Sequence, residues 1–214
     1  MPPSPTVQLD PAHFDAKARQ WDDNPVFRER GLKIAQAVRE SVPLHARMHA
    51  LDYGCGTGLL SFPLKDELGT LLLADSSAGM LAVVNEKIVA QGVTNMTTQQ
   101  LDLLVDAPPA QRFDLIVTAM TLHHVPDTDR ILGVFHDLLS PGGTLCIADL
   151  DREDGSFHGV EVDVHHGFDR ADLARRAERA GFVDVAFRTV FSIAKERGSE
   201  TRDYPVFLMS ARRA

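Results

Sequence analysis

Three glycines alternate in Gly54-Cys55-Gly56-Thr57-Gly58, directly after the short apolar run Met48 to Tyr53, which carries an acid at Asp52. Glycine permits backbone angles closed to other residues and lets the chain approach a ligand closely. A second acid, Asp75, closes the next apolar run, Leu71 to Ala74, and a third, Asp102, follows Thr97 to Leu101. In doubly wound folds an acid ending the second strand holds ribose hydroxyls. The combination predicts a nucleoside-bearing cofactor. The spacing Gly-x-Gly-x-Gly is one residue shorter than the dinucleotide fingerprint, so the turn alone does not say which cofactor.

These residues need strands and helices to hold them. Apolar spacing predicts helices between His13 and Glu40, carried by Phe14, Ala18 and Trp21 and then by Phe27, Leu32, Ile34, Ala35 and Val38, with a break at Asn24-Pro25 and a stop at Pro43. Further helices are expected over Leu59 to Leu68 with Pro63 in the first turn, Ser77 to Gln91, Thr128 to Leu139, and Arg170 to Ala180. Strands are expected at Met48 to Tyr53, Thr70 to Ala74, Thr97 to Leu101, Phe113 to Ala119 and Thr144 to Ala148. Val183 to Ile193 and Tyr204 to Ser210 follow with no helix between them, which reads as a hairpin placing an antiparallel strand at the sheet edge. Strand-helix alternation with nearly continuous apolar strands predicts an α/β fold, a doubly wound, mostly parallel sheet with helices on both faces. Ligands in such sheets sit at the carboxyl ends of the strands, where the glycine turn, Asp75, Asp102 and the segment Ala119 to His124 all fall. The organisation expected is a single domain over residues 1–214, with an N-terminal helical cap (1–43) and an insertion or lid after strand five (150–168).

Composition limits the partners. The chain has 214 residues, a formal net charge of −8, 44% hydrophobic residues and two cysteines. An acidic protein is poorly suited to a nucleic-acid backbone, and its main basic cluster, Arg170, Arg175, Arg176 and Arg179, is interleaved with Asp172 and Glu178 as on a solvated helix face. No apolar run approaches the ~20 residues of a membrane span, and the N-terminus lacks a signal-peptide pattern. Two cysteines at Cys55 and Cys146 form no disulfide framework and no metal spacing. The expectation is a cytoplasmic protein, monomer or homodimer, with no nucleic-acid or membrane partner.

Taken together, Leu-Asp-Tyr-Gly-Cys-Gly-Thr-Gly (51–58), Ala-Asp-Ser-Ser (74–77), Leu-Asp-Leu (101–103), Phe-Asp-Leu-Ile-Val-Thr-Ala-Met-Thr-Leu-His-His-Val-Pro-Asp (113–127) and Leu-Ser-Pro-Gly-Gly-Thr-Leu (139–145) resemble the class I S-adenosylmethionine-dependent methyltransferases, in particular the small-molecule, type 11/12-like branch. The resemblance implies a Rossmann-like, seven-stranded sheet whose last strands are the terminal hairpin. It also implies S-adenosyl-L-methionine as cofactor, S-adenosyl-L-homocysteine as product and a small-molecule methyl acceptor as partner. By the same resemblance the turn Gly54, Cys55, Gly56 and Gly58 passes under the methionine portion, with Asp52 orienting its ammonium group. Asp75 accepts from the ribose hydroxyls, and Ser76 and Met80 lie near the adenine. Asp102 accepts from the adenine amino group, the Leu103 backbone reads the ring edge, and Ala119 offers a carbonyl near the ammonium. Trp21 either closes over the cofactor together with Phe14 or packs an amphipathic helix.

His123 and His124 fall where a methyl group would be presented, as a general base or as packing within the loop. His158, His165 and His166, with Glu161 and Asp163, read as a pocket lid in preference to a metal site, since their spacing matches no zinc pattern. No metal is expected. The alternatives to a methyltransferase are an NAD(P)-dependent oxidoreductase, against which the glycine spacing and the hairpin argue, and a non-catalytic S-adenosylmethionine-binding module, whose binding residues would be the same.

Overall fold

The computed structural model describes residues 11–158, 162–197 and 200–214. Seven strands form one sheet: β1 (His49–Tyr53), β2 (Thr70–Asp75), β3 (Met96–Gln100), β4 (Phe113–Ala119), β5 (Leu139–Leu150), β6 (Phe182–Arg197) and β7 (Glu200–Arg213). Their order is β3-β2-β1-β4-β5-β7-β6. Contacts β3-β2, β2-β1, β1-β4 and β4-β5 are parallel, and β7 runs antiparallel to both neighbours. The chain reverses its winding between β1 and β4, and a cleft opens at the carboxyl ends of strands where that happens.

The helices are α1 (Pro11–Asp15), α2 (Pro25–Ser41), α3 (Ser61–Leu64), α4 (Ala78–Ala90), α5 (Thr128–Leu138) and α6 (Arg170–Arg179). Four of them start on side-chain caps that satisfy a first-turn N–H: Asn24 for α2, Ser77 for α4, Asp127 for α5 and Asp169 for α6. Pro25 sits in the first turn of α2, where its missing N–H costs nothing. A short 3-10 helix, Ala18–Asp23, links α1 to α2.

Each face of the sheet carries its own apolar layer. Ile34, Val38, Leu64, Leu73, Val84 and Leu115 pack together on one side. Leu51, Phe113, Ile116, Ile131, Phe135 and Phe207 pack on the other. Alternation along β1 sends Leu51 and Tyr53 to the second layer and Ala50 to the first. No helix among the described residues is long and apolar enough to cross a membrane.

Three expectations need correction. The helix expected over 59–68 is one α-turn followed by a 3-10 turn, Lys65–Glu67. Pro63 supplies no N–H to such a short crossover, and the chain must turn back early to begin β2. The fifth strand starts earlier than Thr144, because Leu139 already pairs with Phe113 before the Pro-Gly-Gly irregularity. The terminal hairpin does close one edge of the sheet, but its strands are longer than Val183 to Ile193 and Tyr204 to Ser210, running Phe182–Arg197 and Glu200–Arg213, with β7 between β5 and β6 and β6 at the edge. β7 is buried on both faces at Val206, Phe207, Leu208 and Met209, which suits an interior strand.

The N-terminal segment is seated on the rest of the chain. Gly31 of α2 lies so close to α3 that a Cβ there would stand 2.7 Å from the Leu59 carbonyl oxygen. Gly31→Ala is therefore expected to lower stability by about 1–3 kcal/mol through overpacking. Urea denaturation checks this, and an unchanged midpoint would mean that α2 is not seated against that backbone.

Candidate active site

Gly54, Gly56 and Gly58 all have positive φ, at 70°, 53° and 82°. The turn needs them for space as well, since a side chain at Gly54 would collide with Thr121 and one at Gly58 would press on Val84 and Phe62. The amides of Gly54 and Cys55 both donate to the Ala74 carbonyl, at 2.8 and 3.0 Å. Asp75 then takes the Gly56 amide on Oδ2 at 2.7 Å and the Ser77 amide on Oδ1 at 2.8 Å. These bonds lock the turn after β1 to the start of α4.

A cavity of about 270 Å³ opens above that junction. Its wall includes Asp52, Gly54, Cys55 and Gly56 from the turn region, Asp75, Ser76 and Met80 from the next crossover, and Asp102 beyond β3. Ala119 and His124 close one side, and Phe14, Trp21 and Phe27 close the top. Trp21 packs on Phe27 with ring centroids 4.7 Å apart, and Phe14 meets His124 edge-on at 5.4 Å. The segment carrying Phe14 and Trp21 is pinned to the site itself. Asp15 Oδ1 accepts from Ser77 Oγ at 2.6 Å and from the Gly79 amide at 2.7 Å. Asp22 accepts from Thr57 Oγ1 at 2.5 Å and from Lys87 Nζ at 2.8 Å.

Gly58 and Leu103 are not in the wall. Gly58 supplies the close packing under the turn. The Leu103 side chain is buried in the second layer, and its amide takes the Tyr53 hydroxyl oxygen at 3.3 Å. Leu104 lines the cavity in its place, with its amide on Asp102 Oδ1 at 2.9 Å.

The carboxylates are crowded and desolvated. Burial pushes Asp52 up to about 7, with a bond from Ser61 Oγ opposing and the charge of Asp75 adding to the rise. Asp75 is raised mainly by burial, with the charge of Asp15 adding to the rise, against the backbone amides of Ser77, Gly56 and Ser76. A site with raised acids favours a cationic ligand, which returns them to the ionised form.

The paired histidines separate. His124 reaches the cavity, its Nδ1 is buried with no hydrogen-bond partner, and burial followed by the neighbouring rings of His123 and His158 drives its pKa far down. It is a neutral imidazole at physiological pH. His123 does not reach the cavity wall: its Nδ1 lies 2.7 Å from Asp149 Oδ1 and its amide donates to Asp149 Oδ2 at 3.1 Å. Both residues of that pair are almost wholly buried. His123 therefore anchors the loop, and the sequence position one residue earlier than His124 carries a different task.

His165 braces the same loop, with its amide on the His123 carbonyl at 2.9 Å and its ring 3.0 Å from the Val125 carbonyl. His158 stacks beside His123 and His124 without lining the cavity, and its pKa is lowered to about 4, chiefly by burial. Glu161 lies outside the described residues. Among the described residues no cluster of three or more His, Cys, Asp or Glu is arranged to hold a metal ion.

Sequence reasoning missed Arg30, a cavity-lining cation whose guanidinium lies 4.9 Å from the Phe27 ring. It also missed Met120, which lines the cavity at a left-handed φ of 56°. Strain of that kind in a non-glycine residue clusters at functional sites. Arg30 falls on the helical period next to Phe27 and Ile34, a position that reads as a solvated flank until the helix is docked.

Known proteins share this arrangement. A methyltransferase-domain family profile matches residues 44–189. An uncharacterized methyltransferase of Schizosaccharomyces pombe is 33% identical over 160 residues, covering 72% of this chain and 55% of the relative. A ubiquinone biosynthesis O-methyltransferase of Coxiella burnetii is 32% identical over 146 residues, covering 66% of this chain and 61% of the relative. The chain thus matches little more than half the length of these curated relatives. The solved structure of the N-methyltransferase NodS of Bradyrhizobium japonicum, in complex with S-adenosylhomocysteine, superposes with a TM-score of 0.69 at 19% identity, over 95% of this chain and 96% of that one. With the motif turn, the acids at successive strand ends and the family profile all falling on the same residues, the chain belongs to the S-adenosylmethionine-dependent methyltransferase family.

Proposed function

We propose that the protein transfers a methyl group from S-adenosylmethionine to a small-molecule acceptor in the cavity between the glycine turn and the N-terminal cap. The observation that carries this reading is the convergence of Asp52, Asp75, Asp102 and the turn on one cavity whose opposite wall holds the neutral imidazole of His124. The residues present fit the cofactor. Asp75 spends one lone pair of each oxygen on the Gly56 and Ser77 amides and keeps the others for ribose hydroxyls. Asp102 and Leu104 stand where an adenine edge would be read, with Ser76 and Met80 beside them. Asp52 and the Ala119 carbonyl serve an ammonium group.

When bound, S-adenosylmethionine supplies a methyl carbon already made electrophilic by its sulfonium. The task left to the chain is to hold the acceptor in line and keep water out. Such positioning is worth up to about 7–11 kcal/mol in favourable intramolecular cases. Phe14 and Trp21 roof the cavity for this purpose, while Thr121 welds the loop to the turn through its Oγ1 on the Gly54 carbonyl at 3.3 Å. His124 is placed to accept a hydrogen bond from the acceptor's proton, burial leaving it neutral and a weak base in the free protein, and general-base help of this kind is worth on the order of 10²–10⁴-fold where the nucleophile carries a proton. His123, held by Asp149, keeps His124 in place. The name of the Coxiella relative favours a hydroxyl acceptor.

Three outcomes test this reading. By calorimetry, Asp75→Ala weakens S-adenosylhomocysteine at least about tenfold, since it removes the acceptor of charge-assisted bonds; failure of the wild type to bind that ligand would sink the assignment. His124→Ala lowers kcat by roughly 10²–10⁴-fold with the affinity for S-adenosylhomocysteine nearly unchanged. Equal loss in both quantities would make His124 a packing residue.

The third outcome is a pH dependence. The Asp52 carboxyl has a folded pKa of about 7 against an ordinary value of 3.8. Between those values the unfolded chain has released this proton and the folded chain keeps it, so the free protein loses stability as pH rises through that window. Thermal scans are expected to show Asp52→Asn melting several degrees above the wild type at pH 8 and level with it at pH 4. Parallel curves at both pH values would refute the assignment of that slope to Asp52.

A further inference from the structure

The corner that follows β3 carries Asp102 and Leu104 into the cavity wall, and three successive amides hold it. The Asp102 amide donates to Asp106 Oδ2 at 2.8 Å, the Leu103 amide to the Tyr53 hydroxyl at 3.3 Å, and the Leu104 amide to Asp102 Oδ1 at 2.9 Å. The first and third of these bonds are local and fix only the shape of the corner. The second comes from β1, 50 residues earlier, and fixes where the corner stands relative to the glycine turn.

Tyr53 is placed to make that reach. Its register partner on β2 is Ala74, which carries only a methyl group in the same apolar layer, so the ring extends across β2 without obstruction. Phe135 backs it edge-on, with ring centroids 5.4 Å apart. The ring also lines the cavity, together with Leu101, Asp102 and Leu104. A phenol hydroxyl accepts and donates at once. Its oxygen takes the Leu103 amide, which leaves its proton for the Asp102 carboxylate. Burial first, and then the charge of Asp102, hold the phenol above its ordinary pKa, and a hydrogen bond between the two groups adds to the rise. It is a donor at physiological pH. A phenylalanine would fill the same space and leave the Leu103 N–H buried without a partner, which is costly.

We propose that Tyr53 is a positioning residue for the adenine of the cofactor: one hydroxyl fixes the Leu103 amide and aims the Asp102 carboxylate, so that the cavity selects a purine bearing a 6-amino group. This rests on the methyltransferase reading and deepens it, because the residue just before the glycine turn then governs the opposite end of the cofactor. Asp102 supplies the charge, and Tyr53 supplies its direction. A 6-oxo purine would set a carbonyl against that carboxylate, two acceptors facing one another. A carboxylate held in place cannot turn away from such a mismatch, and rejection of the wrong ligand depends on that rigidity.

The test is calorimetry with S-adenosylhomocysteine and with S-inosylhomocysteine, the analogue in which a 6-oxo group replaces the amino group. The wild type is expected to bind the 6-oxo analogue about 30-fold or more weakly, the size of a lost hydrogen bond to a charged group. Tyr53→Phe weakens S-adenosylhomocysteine about tenfold and the analogue less than about threefold, so the preference falls by at least about threefold. Equal weakening of both ligands would show that Tyr53 only packs the core and would overturn the proposal, as would unchanged binding of S-adenosylhomocysteine. Should Tyr53→Phe not fold, a fluorinated tyrosine at position 53 decides, since it keeps the ring and loses its proton at lower pH. The preference for the 6-amino ligand then falls at lower pH than in the unsubstituted protein, and identical pH profiles overturn the proposal. A wild type that binds no S-adenosylhomocysteine defeats the methyltransferase reading and this proposal together, whereas a wild type that binds both ligands alike defeats only the role of Tyr53.

Discussion

The carboxylate of Asp75 takes the amide of Gly56 on one oxygen and the amide of Ser77 on the other, and the rest of the site depends on that bridge. It requires two strand ends to arrive side by side at one height, which the parallel register Tyr53 to Ala74 provides. The Ala74 carbonyl receives the next two amides of the turn. A one-residue slip between β1 and β2 would turn every inward side chain outward, so the two apolar layers that enforce the register also enforce the shape of the turn.

Electrostatics then sets what such a junction can hold. Asp75 raises Asp52, Asp15 raises Asp75, both Asp52 and Asp75 are desolvated, and Asp102 stands further along the same wall. Left alone, the cluster pays for its own burial. A cationic ligand relieves it. The cap is tied into this arrangement through carboxylates of its own, Asp15 on Ser77 and Gly79, and Asp22 on Thr57 and Lys87. Binding residues and roof are thus connected by hydrogen bonds that run through the turn.

The two adjacent histidines show how finely the loop after β4 divides its work. Asp149, at the end of β5, accepts both the ring and the amide of His123, which turns that residue into the fastening of the loop. His124, one position on, is left facing the cavity with an unsatisfied buried nitrogen. Met120, at a positive φ, places its amide on the Ala148 carbonyl at 2.8 Å. The insertion after β5 braces this loop through His165.

Short-range patterns in the sequence determined the alternation of strands and helices, the glycine turn, and the acids Asp52, Asp75 and Asp102, because backbone angles, apolar period and strand-end position are local properties. That the cofactor bears a nucleoside was legible for the same reason, while its identity came from the resemblance of the combined motifs to a known family. What only the tertiary structure decided involves groups distant in the chain. β7 entered the sheet between β5 and β6 because its side chains are buried on both faces, which the hairpin pattern did not rank. Leu103 turned into the core and Leu104 to the cavity, because the Tyr53 hydroxyl claims the Leu103 amide. His123 and His124 exchanged equal standing for separate roles once Asp149, twenty-five residues beyond His124, was placed beneath one of them. Arg30 became a cavity residue only when Gly31 let α2 settle against Leu59. A periodic pattern tells which face of a helix is apolar, but the ligand a flanking arginine meets is set by what the docked helix leaves open.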